Sequence, residues 1–391
     1  MFKIKTYNSL AAKGLERFHA DRYERGPDVL SADALMLRSQ KLHDETIDNS
    51  VIAVARAGAG TNNIPVDEYA HRGIVVFNTP GANANAVKEL VAAAMLLGSR
   101  DIFGGMGYVQ SLGEITDSAE MHKLLEANKK RFAGSEITGM TLGVVGLGAI
   151  GAMVANMALE LGMNVVGYDP AISVESAWRL SSRVQKVDSL QALAGVSDFI
   201  TLHVPAIPQT IGLINKDILD RCKPGTRLLN FARDEIVDLP AVVEALDSGH
   251  LGTYISDFPH PELLGRSNVL LLPHIGASTR EAEENCAVMA ADQLMDFLEN
   301  GNIRNSVNYP DTFMARNGGY RITICNENIP KVLGTVLTVL ADHNLNVLDM
   351  VNLSRGDFAY SIIDVEAHDA GVMSAINAAD GVLRARLIPP A

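Results

Sequence analysis

A strand-like run ending at Val145 leads into Gly146-Leu147-Gly148-Ala149-Ile150-Gly151, and a helix-like run follows. This spacing suits a backbone that turns tightly at Gly146, approaches an anionic group closely at Gly148 and packs helix on strand at Gly151. Amides at the start of the helix, around Ala149 and Ile150, can then meet a diphosphate. Apolar residues at Ile150, Val154, Met157 and Leu161 give one buried helical face, and Gly162 suits its end. The next apolar run, Asn164 to Tyr168, is followed by Asp169, whose carboxylate can accept hydrogen bonds from ribose hydroxyls and repel a 2′-phosphate. The pattern predicts a dinucleotide site that prefers NAD to NADP.

Three further side chains have types that serve hydride chemistry. His274, in Leu272-Pro273-His274-Ile275-Gly276, carries an imidazole, the side chain best suited to take up and release a proton as a general base. Glu262, in a proline-framed loop, can hold that imidazole in one tautomer and stabilise its protonated form. Arg233, in Asn230-Phe231-Ala232-Arg233-Asp234, offers a two-pronged bond to a carboxylate and can polarise a forming carbonyl. Beside a dinucleotide, such a set points to an NAD-linked oxidoreductase acting on an acid.

These residues need elements to position them. Strand candidates recur at Leu142–Val145, Asn164–Tyr168, Phe199–His203, Arg227–Asn230, Tyr254–Ser256 and Val269–Leu272, and just past their ends lie Gly146, Asp169, Pro205, Arg233, Asp257 and His274. Ligands of open parallel sheets bind beyond the carboxyl ends of the strands, so one edge should collect the site. Upstream, short apolar runs at Lys3–Tyr7, Ala34–Leu37, Val51–Ala55 and Gly73–Phe77 alternate with polar, helix-like stretches in a βαβ rhythm. The Ala-rich stretch Asn85–Arg100 reads as a helix leaving this first domain, and Glu281–Asn300, closed by Gly301, as one returning to it. Arg304–Gly319 reads as a polar linker. The remainder follows the order strand, helix, strand, strand, helix, strand, which predicts a ferredoxin-like module.

At 391 residues the chain exceeds a single core, and its composition is that of a folded protein. A net charge of −13 argues against nucleic acid or an anionic membrane as partner, so an anionic substrate needs locally gathered cations. Cys222, Cys286 and Cys325 stand far apart, which indicates neither a disulfide framework nor a metal site. With no signal-type apolar run at its start, the chain is expected to be cytoplasmic.

At the motifs above the chain resembles the D-isomer-specific 2-hydroxyacid dehydrogenases, and within them the branch acting on D-3-phosphoglycerate. The residues carrying the resemblance are Gly146–Gly151, Leu202-His203-Val204-Pro205, Asn230-Phe231-Ala232-Arg233, Asp257–Glu262 and His274-Ile275-Gly276-Ala277, and it extends over almost the whole chain. It implies an α/β architecture with a Rossmann-type NAD domain (98–282) inserted in a flavodoxin-like substrate domain (1–97 and 283–305). A linker (306–318) and a ferredoxin-like ACT domain (319–391) follow. It implies a triad of Arg233, Glu262 and His274, with cofactor contacts also at His203, Val204, Pro205, Thr210, Asn230, Ala232, Asp257 and Gly276. Substrate contacts fall on Arg56, Ala57, Gly58 and Asn78, with Arg56 and Lys41 supplying charge for a phosphorylated acid.

The implied reaction is NAD-dependent oxidation of D-3-phosphoglycerate to 3-phosphohydroxypyruvate, the entry to L-serine synthesis. The alternatives are a reductase of glyoxylate, hydroxypyruvate or another unphosphorylated 2-oxo acid and, from a different class, an NAD-sensing interaction protein. The resemblance further implies a homodimer or homotetramer and an amino-acid effector such as L-serine, held by Asn326, Asn328 and Asn346. The sequence departs from the family pattern at Asp234 and Lys331, where glycine is usual, at Asn326, where serine-inhibited members often have His, and in the shortened Asp257-Phe258 segment.

Overall fold

The computed structural model describes residues 1–369 and 371–390. They form two compact units, Met1–Asn83 with Thr279–Ala391, and Ala84–Ser278.

The first unit opens with β1 (Phe2–Thr6), α1 (Ala12–Leu15), β2 (Tyr23–Gly26), β3 (Ala34–Leu37), β4 (Ala53–Arg56), α2 (Val66–His71) and β5 (Val75–Phe77). The strands pair in parallel in the order β2-β1-β3-β4-β5, the flavodoxin-like winding. Leu35, Leu37, Val54 and Val76 enter one apolar layer with Ile64 and Tyr69, while Ala34, Met36, Ala53, Ala55, Val75 and Phe77 enter the other. Burial on both faces explains why these strands read as continuous apolar runs.

The second unit contains α3 (Ala84–Leu97), α4 (Ile102–Ser111), α5 (Ser118–Asn128), β6 (Thr141–Val145), α6 (Ala149–Glu160), β7 (Asn164–Tyr168) and α7 (Val174–Trp178). There follow β8 (Gln185–Lys186), α8 (Leu190–Val196), β9 (Phe199–Leu202), α9 (Lys216–Leu219), β10 (Thr226–Asn230), α10 (Leu239–Asp247), β11 (Leu251–Ser256) and β12 (Val269–Leu271). The sheet is parallel, ordered β12-β11-β10-β9-β6-β7-β8, and its winding reverses between β6 and β9, the position at which such sheets bind dinucleotides. All six expected strands are present, and β8 adds a short exposed edge. One expectation is corrected: Val87, Val91, Ala94 and Met95 pack α3 against Leu142, Val144 and Phe199, so this helix belongs to the second unit.

The chain re-enters the first unit through α11 (Arg280–Asn300), whose Thr279 hydroxyl accepts from the Ala282 amide at 3.1 Å and whose end is Gly301 at φ 73°. This helix lays Ala287, Ala290, Ala291 and Leu294 against the first sheet. A Cβ at Gly14 would stand 2.4 Å from that of Ala287, so α1 reaches α11 only because residue 14 has no side chain. The terminal module comprises β13 (Tyr320–Glu327), α12 (Val332–Asp342), β14 (Val347–Arg355), β15 (Phe358–Val365), α13 (Val372–Asn377) and β16 (Val382–Ile388). Its sheet is antiparallel, ordered β14-β15-β13-β16. Alternation divides its side chains: Ile322, Ile324 and Ile363 meet Val336, Leu340, Val372 and Ile376 of the two helices, whereas Cys325, Tyr360 and Ile362 join Phe77 and Phe297 in the core of the first unit.

The expected polar linker over 306–318 is therefore corrected as well. Ser306, Asn308, Tyr309, Thr312 and Met314 are buried. Asn308 pairs with the free edge of β5, accepting from the Val76 amide and donating to the Ile74 carbonyl at 2.9 Å each. Arg384 donates to the carbonyls of Val51 and Asn49, and Arg386 to those of Phe297 and Leu298, so the module is bolted to the rest of the first unit.

Candidate active site

The glycine turn has the shape that its spacing predicts. Gly146 adopts φ +90°, and a Cβ there would lie 2.6 Å from the His203 carbonyl oxygen. A Cβ on Gly151 would stand 1.9 Å from the Gly146 oxygen, so turn and helix touch. At Gly148, which precedes α6, nothing lies within 4 Å: the side that must admit a diphosphate is open. Ala149 and Ile150 follow it half-buried. Asp169 accepts from the Leu147 amide at 2.8 Å through Oδ2 and from the Ala171 amide at 2.9 Å through Oδ1. It thus braces the turn, and each oxygen retains a second acceptor position for a ribose hydroxyl. This cradle fits a dinucleotide.

His203, after β9, contacts Thr201 Oγ1 at 2.9 Å through Nε2, while its buried Nδ1 has no hydrogen-bond partner among the described residues. Burial pushes its pKa down to about 3, which leaves a neutral ring beside the glycine turn. Val204 follows half-buried against the apolar core and Pro205 exposed. The Thr210 hydroxyl, expected at the cofactor, closes the next loop, accepting from the Ile207 amide at 3.0 Å and donating to the Pro205 carbonyl.

Asn230 ends β10 fully buried. Its Nδ2 donates to the Arg233 carbonyl at 2.8 Å and its Oδ1 accepts from the Ala232 amide at 3.2 Å. Asn230, expected at the cofactor, thus braces the loop carrying Arg233. Ala232 is buried within that loop. Arg233 itself is exposed and extended, with Nη1 donating to the Ala232 carbonyl at 2.6 Å, and Asp234 opens a 3₁₀ turn immediately after it.

Asp257 organises the His274 segment. Its carbonyl accepts from the His274 amide at 3.0 Å and its Oδ2 from the Gly276 amide at 3.1 Å, while the buried Oδ1 has no partner among the described residues. Burial raises the Asp257 pKa, opposed by the Gly276 amide and by the charges of His274 and Arg233. His274 sits at φ +52°, with its ring edge-on to Phe258 at 4.8 Å. Glu262 lies in an exposed 3₁₀ turn pinned by the His260 ring and by Arg266, whose Nε donates to the Glu262 carbonyl at 2.9 Å. No hydrogen bond or ion pair among the described residues joins Glu262 to His274, so the expected support of the imidazole is not made here; the ring rests on Phe258.

In the first unit, Arg56 ends β4 and donates from Nε to the Arg38 carbonyl at 3.0 Å. Ala57 donates its amide to Leu37, and Gly58 gives the Arg56 side chain room, since a Cβ there would meet Nη1 at 2.4 Å. Asn78 Nδ2 donates to the Ala59 carbonyl at 2.6 Å, tying two strand-end loops together, while Lys41 is exposed beyond β3. Arg38, which the sequence analysis does not single out, follows β3 beside Arg56 and pairs with Glu283 at 2.7 Å.

The three expected effector residues do not converge. Asn328 Nδ2 bonds the Gly356 carbonyl at 3.0 Å and Asn326 Nδ2 the Glu327 carbonyl at 2.7 Å, both at the Phe358 end of the module. Asn346 Nδ2 bonds Glu366 at 3.5 Å, at the end where Val347 and Tyr320 both lie level with Val365. Seven strand steps, roughly 24 Å, separate the two ends. Lys331 takes φ +81°, a conformation normally left to glycine.

Residues 106–276 match the family model described as D-isomer specific 2-hydroxyacid dehydrogenase, NAD binding domain. The D-3-phosphoglycerate dehydrogenase of Escherichia coli K12 is 32% identical over 98% of this chain and 95% of its own length. That of Haemophilus influenzae is 33% identical over 86% of this chain and 81% of its own length. Among solved structures, the cofactor (NAD+) bound 3-phosphoglycerate dehydrogenase of Entamoeba histolytica aligns with TM-score 0.59 and 26% identity, covering 80% of this chain and 99% of its own. D-2-hydroxyisocaproate dehydrogenase aligns at 0.62 and 25%, covering 78% of this chain and 100% of its own.

Proposed function

The chain belongs to the D-isomer specific 2-hydroxyacid dehydrogenase family and is an NAD-dependent dehydrogenase, and we propose that it oxidises D-3-phosphoglycerate to 3-phosphohydroxypyruvate, the opening step of L-serine synthesis. The observation that carries this choice of substrate is the pair of arginines, Arg38 and Arg56, at adjacent strand ends of an acidic chain. The names of its relatives agree with it.

Bound NAD supplies the acceptor for the C2 hydride. The turn at Gly146, Gly148 and Gly151 and the amides opening α6 hold its diphosphate, Asp169 its adenosine ribose, and Asp257 Oδ1 accepts a further polar hydrogen. His274 takes the C2 hydroxyl proton as the base. Arg233 binds the carboxylate and polarises the developing carbonyl. Glu262 engages His274 on substrate binding, since catalytic hydrogen bonds commonly tighten only in the Michaelis complex. Arg56 and Lys41, with Arg38 beside Arg56, hold the phosphate.

In this reading the terminal module is an ACT domain that senses an amino acid such as L-serine. Because one copy separates Asn326 and Asn328 from Asn346, the effector requires two copies. A homodimer or homotetramer also accords with α4, which buries none of its residues and exposes Phe103, Met106 and Val109. No single helix among the described residues is long and apolar enough to cross a membrane. The free, buried thiols of Cys222, Cys286 and Cys325 suit a reducing compartment, and we assign the protein to the cytoplasm. Replacing Arg56 by Ala tests the substrate: KM should rise more for D-3-phosphoglycerate than for D-glycerate, and an equal rise for both defeats the phosphate anchor.

A further inference from the structure

Arg56 ends β4 level with Leu37, the last residue of the neighbouring parallel strand β3, so Arg38 follows directly beyond it, and the Arg56 side chain bonds the Arg38 backbone. Their charges fall together in a chain that carries 33 basic and 46 acidic residues. Arg38 does not face solvent alone: its Nη1 lies 2.7 Å from Glu283 Oε1, with the two side chains 40% and 42% exposed. Glu283 belongs to the first turn of α11, where the unpaired amides of a helix favour a carboxylate. Cys286, on the next turn, lies near all three groups: burial raises its thiol pKa, with Arg38 and Arg56 opposing that rise and Glu283 adding to it. Among the described residues, one neighbourhood thus brings together the guanidiniums of Arg38 and Arg56 and the carboxylate of Glu283.

We propose that Glu283 is a resident competitor for the anion that Arg38 and Arg56 attract, occupying Arg38 in the free protein and giving way when a phosphate dianion arrives. The inference rests on the phosphorylated-substrate reading given above. A half-exposed ion pair is weak, so its rupture costs little. A carboxylate and a phosphate sharing one guanidinium repel each other, however, so the phosphate binds only as the carboxylate withdraws. An acid without a phosphate brings no charge to this corner and leaves the pair intact. Glu283 thus tunes the preference for phosphorylated over unphosphorylated acids, and sets it below what the two arginines alone would give. A merely structural Glu283, one that holds Arg38 in a useful pose, predicts the opposite sign.

The test is Glu283→Gln in the full-length chain. The KM for D-3-phosphoglycerate should fall about three- to tenfold relative to that for D-glycerate, the size expected for removing one nearby charge across a solvated gap. Inorganic phosphate should inhibit more tightly by a similar factor, and both gains should vanish in an Arg38→Met background. An unchanged or raised KM ratio overturns the proposal. If the wild-type chain does not oxidise D-3-phosphoglycerate, the substrate reading fails separately. The rise in melting temperature caused by inorganic phosphate then decides the role of Glu283: a larger rise in the Gln variant supports competition, and an equal or smaller one refutes it.

Discussion

Arg321 and Asp364 face each other across the ladder of β13 and β15 as a two-pronged ion pair, Nε to Oδ1 at 2.6 Å and Nη2 to Oδ2 at 2.8 Å, with neither side chain more than 1% exposed. The remaining guanidinium hydrogens reach the carbonyls of Asn300, Met314 and Ala315, joining the end of α11, the buried 306–318 strap and the terminal module. Removing one partner strands a buried charge, which typically costs about 3–5 kcal/mol. Asp364→Asn should therefore lower the urea midpoint of the full-length protein sharply. A change below about 1 kcal/mol would mean that the module is only loosely attached.

His203 gives stability a pH slope with a defined sign. Its folded-state pKa of about 3 lies below the ordinary 6.5, so between those values the unfolded chain binds a proton that the folded chain refuses. Above pH 6.5 the ring contributes no slope. As pH falls from there toward 3, stability is lost at up to ~1.4 kcal/mol per pH unit. Comparing urea unfolding at pH 7 and pH 5, the loss should be smaller in His203→Asn than in the wild type; equal losses contradict the buried, neutral ring.

His274→Ala should lower turnover by ~10² to 10⁴ while leaving the dinucleotide site in place. Trp178, the single tryptophan, ends α7 just beyond Asp169 and is 84% exposed, so its fluorescence offers a direct reading of NADH binding in the same variant. Quenching at wild-type NADH concentrations together with lost turnover assigns His274 to chemistry. Unchanged turnover removes it from the mechanism.

Lys331 occupies a left-handed conformation at the entrance to α12, at a cost of roughly 1–2 kcal/mol for a residue with a Cβ. Glycine recovers that strain at an entropic cost of roughly 0.5–1 kcal/mol. Lys331→Gly should thus raise the melting temperature by one to a few degrees, on the order of 1 kcal/mol. A decrease would show that the lysine side chain holds contacts worth more than the strain.

The parts of this molecule legible in the sequence are those where one residue type answers one backbone demand. Gly146, Gly148 and Gly151 and the acid at Asp169 announced their turn, and the six strand ends of the second sheet were placed by apolar runs that both-face burial requires. The strap at 306–318 was misread because composition does not distinguish an asparagine in water from Asn308, which spends its amide on the buried edge of β5. The loop hydrogen bonds of Asn230 and Thr210 were not legible for a related reason: residue type does not show which backbone groups a polar side chain next to a site will hold. The Glu262–His274 pairing was read from residue types and the family resemblance, neither of which shows that Arg266 and His260 pin the backbone of the Glu262 turn. Arg38 was passed over because its significance lies in its neighbour across the sheet.

The most direct test of the central claim is NADH formation with D-3-phosphoglycerate, D-glycerate, D-lactate and 2-hydroxyglutarate, with hydrazine present to trap the oxo-acid product. Oxidation confined to D-3-phosphoglycerate, or favouring it by orders of magnitude in kcat/KM, is the predicted result. Equal or better oxidation of an unphosphorylated acid would keep the hydride chemistry and contradict the substrate, and silence on all four beside tight NADH binding would contradict the enzyme itself.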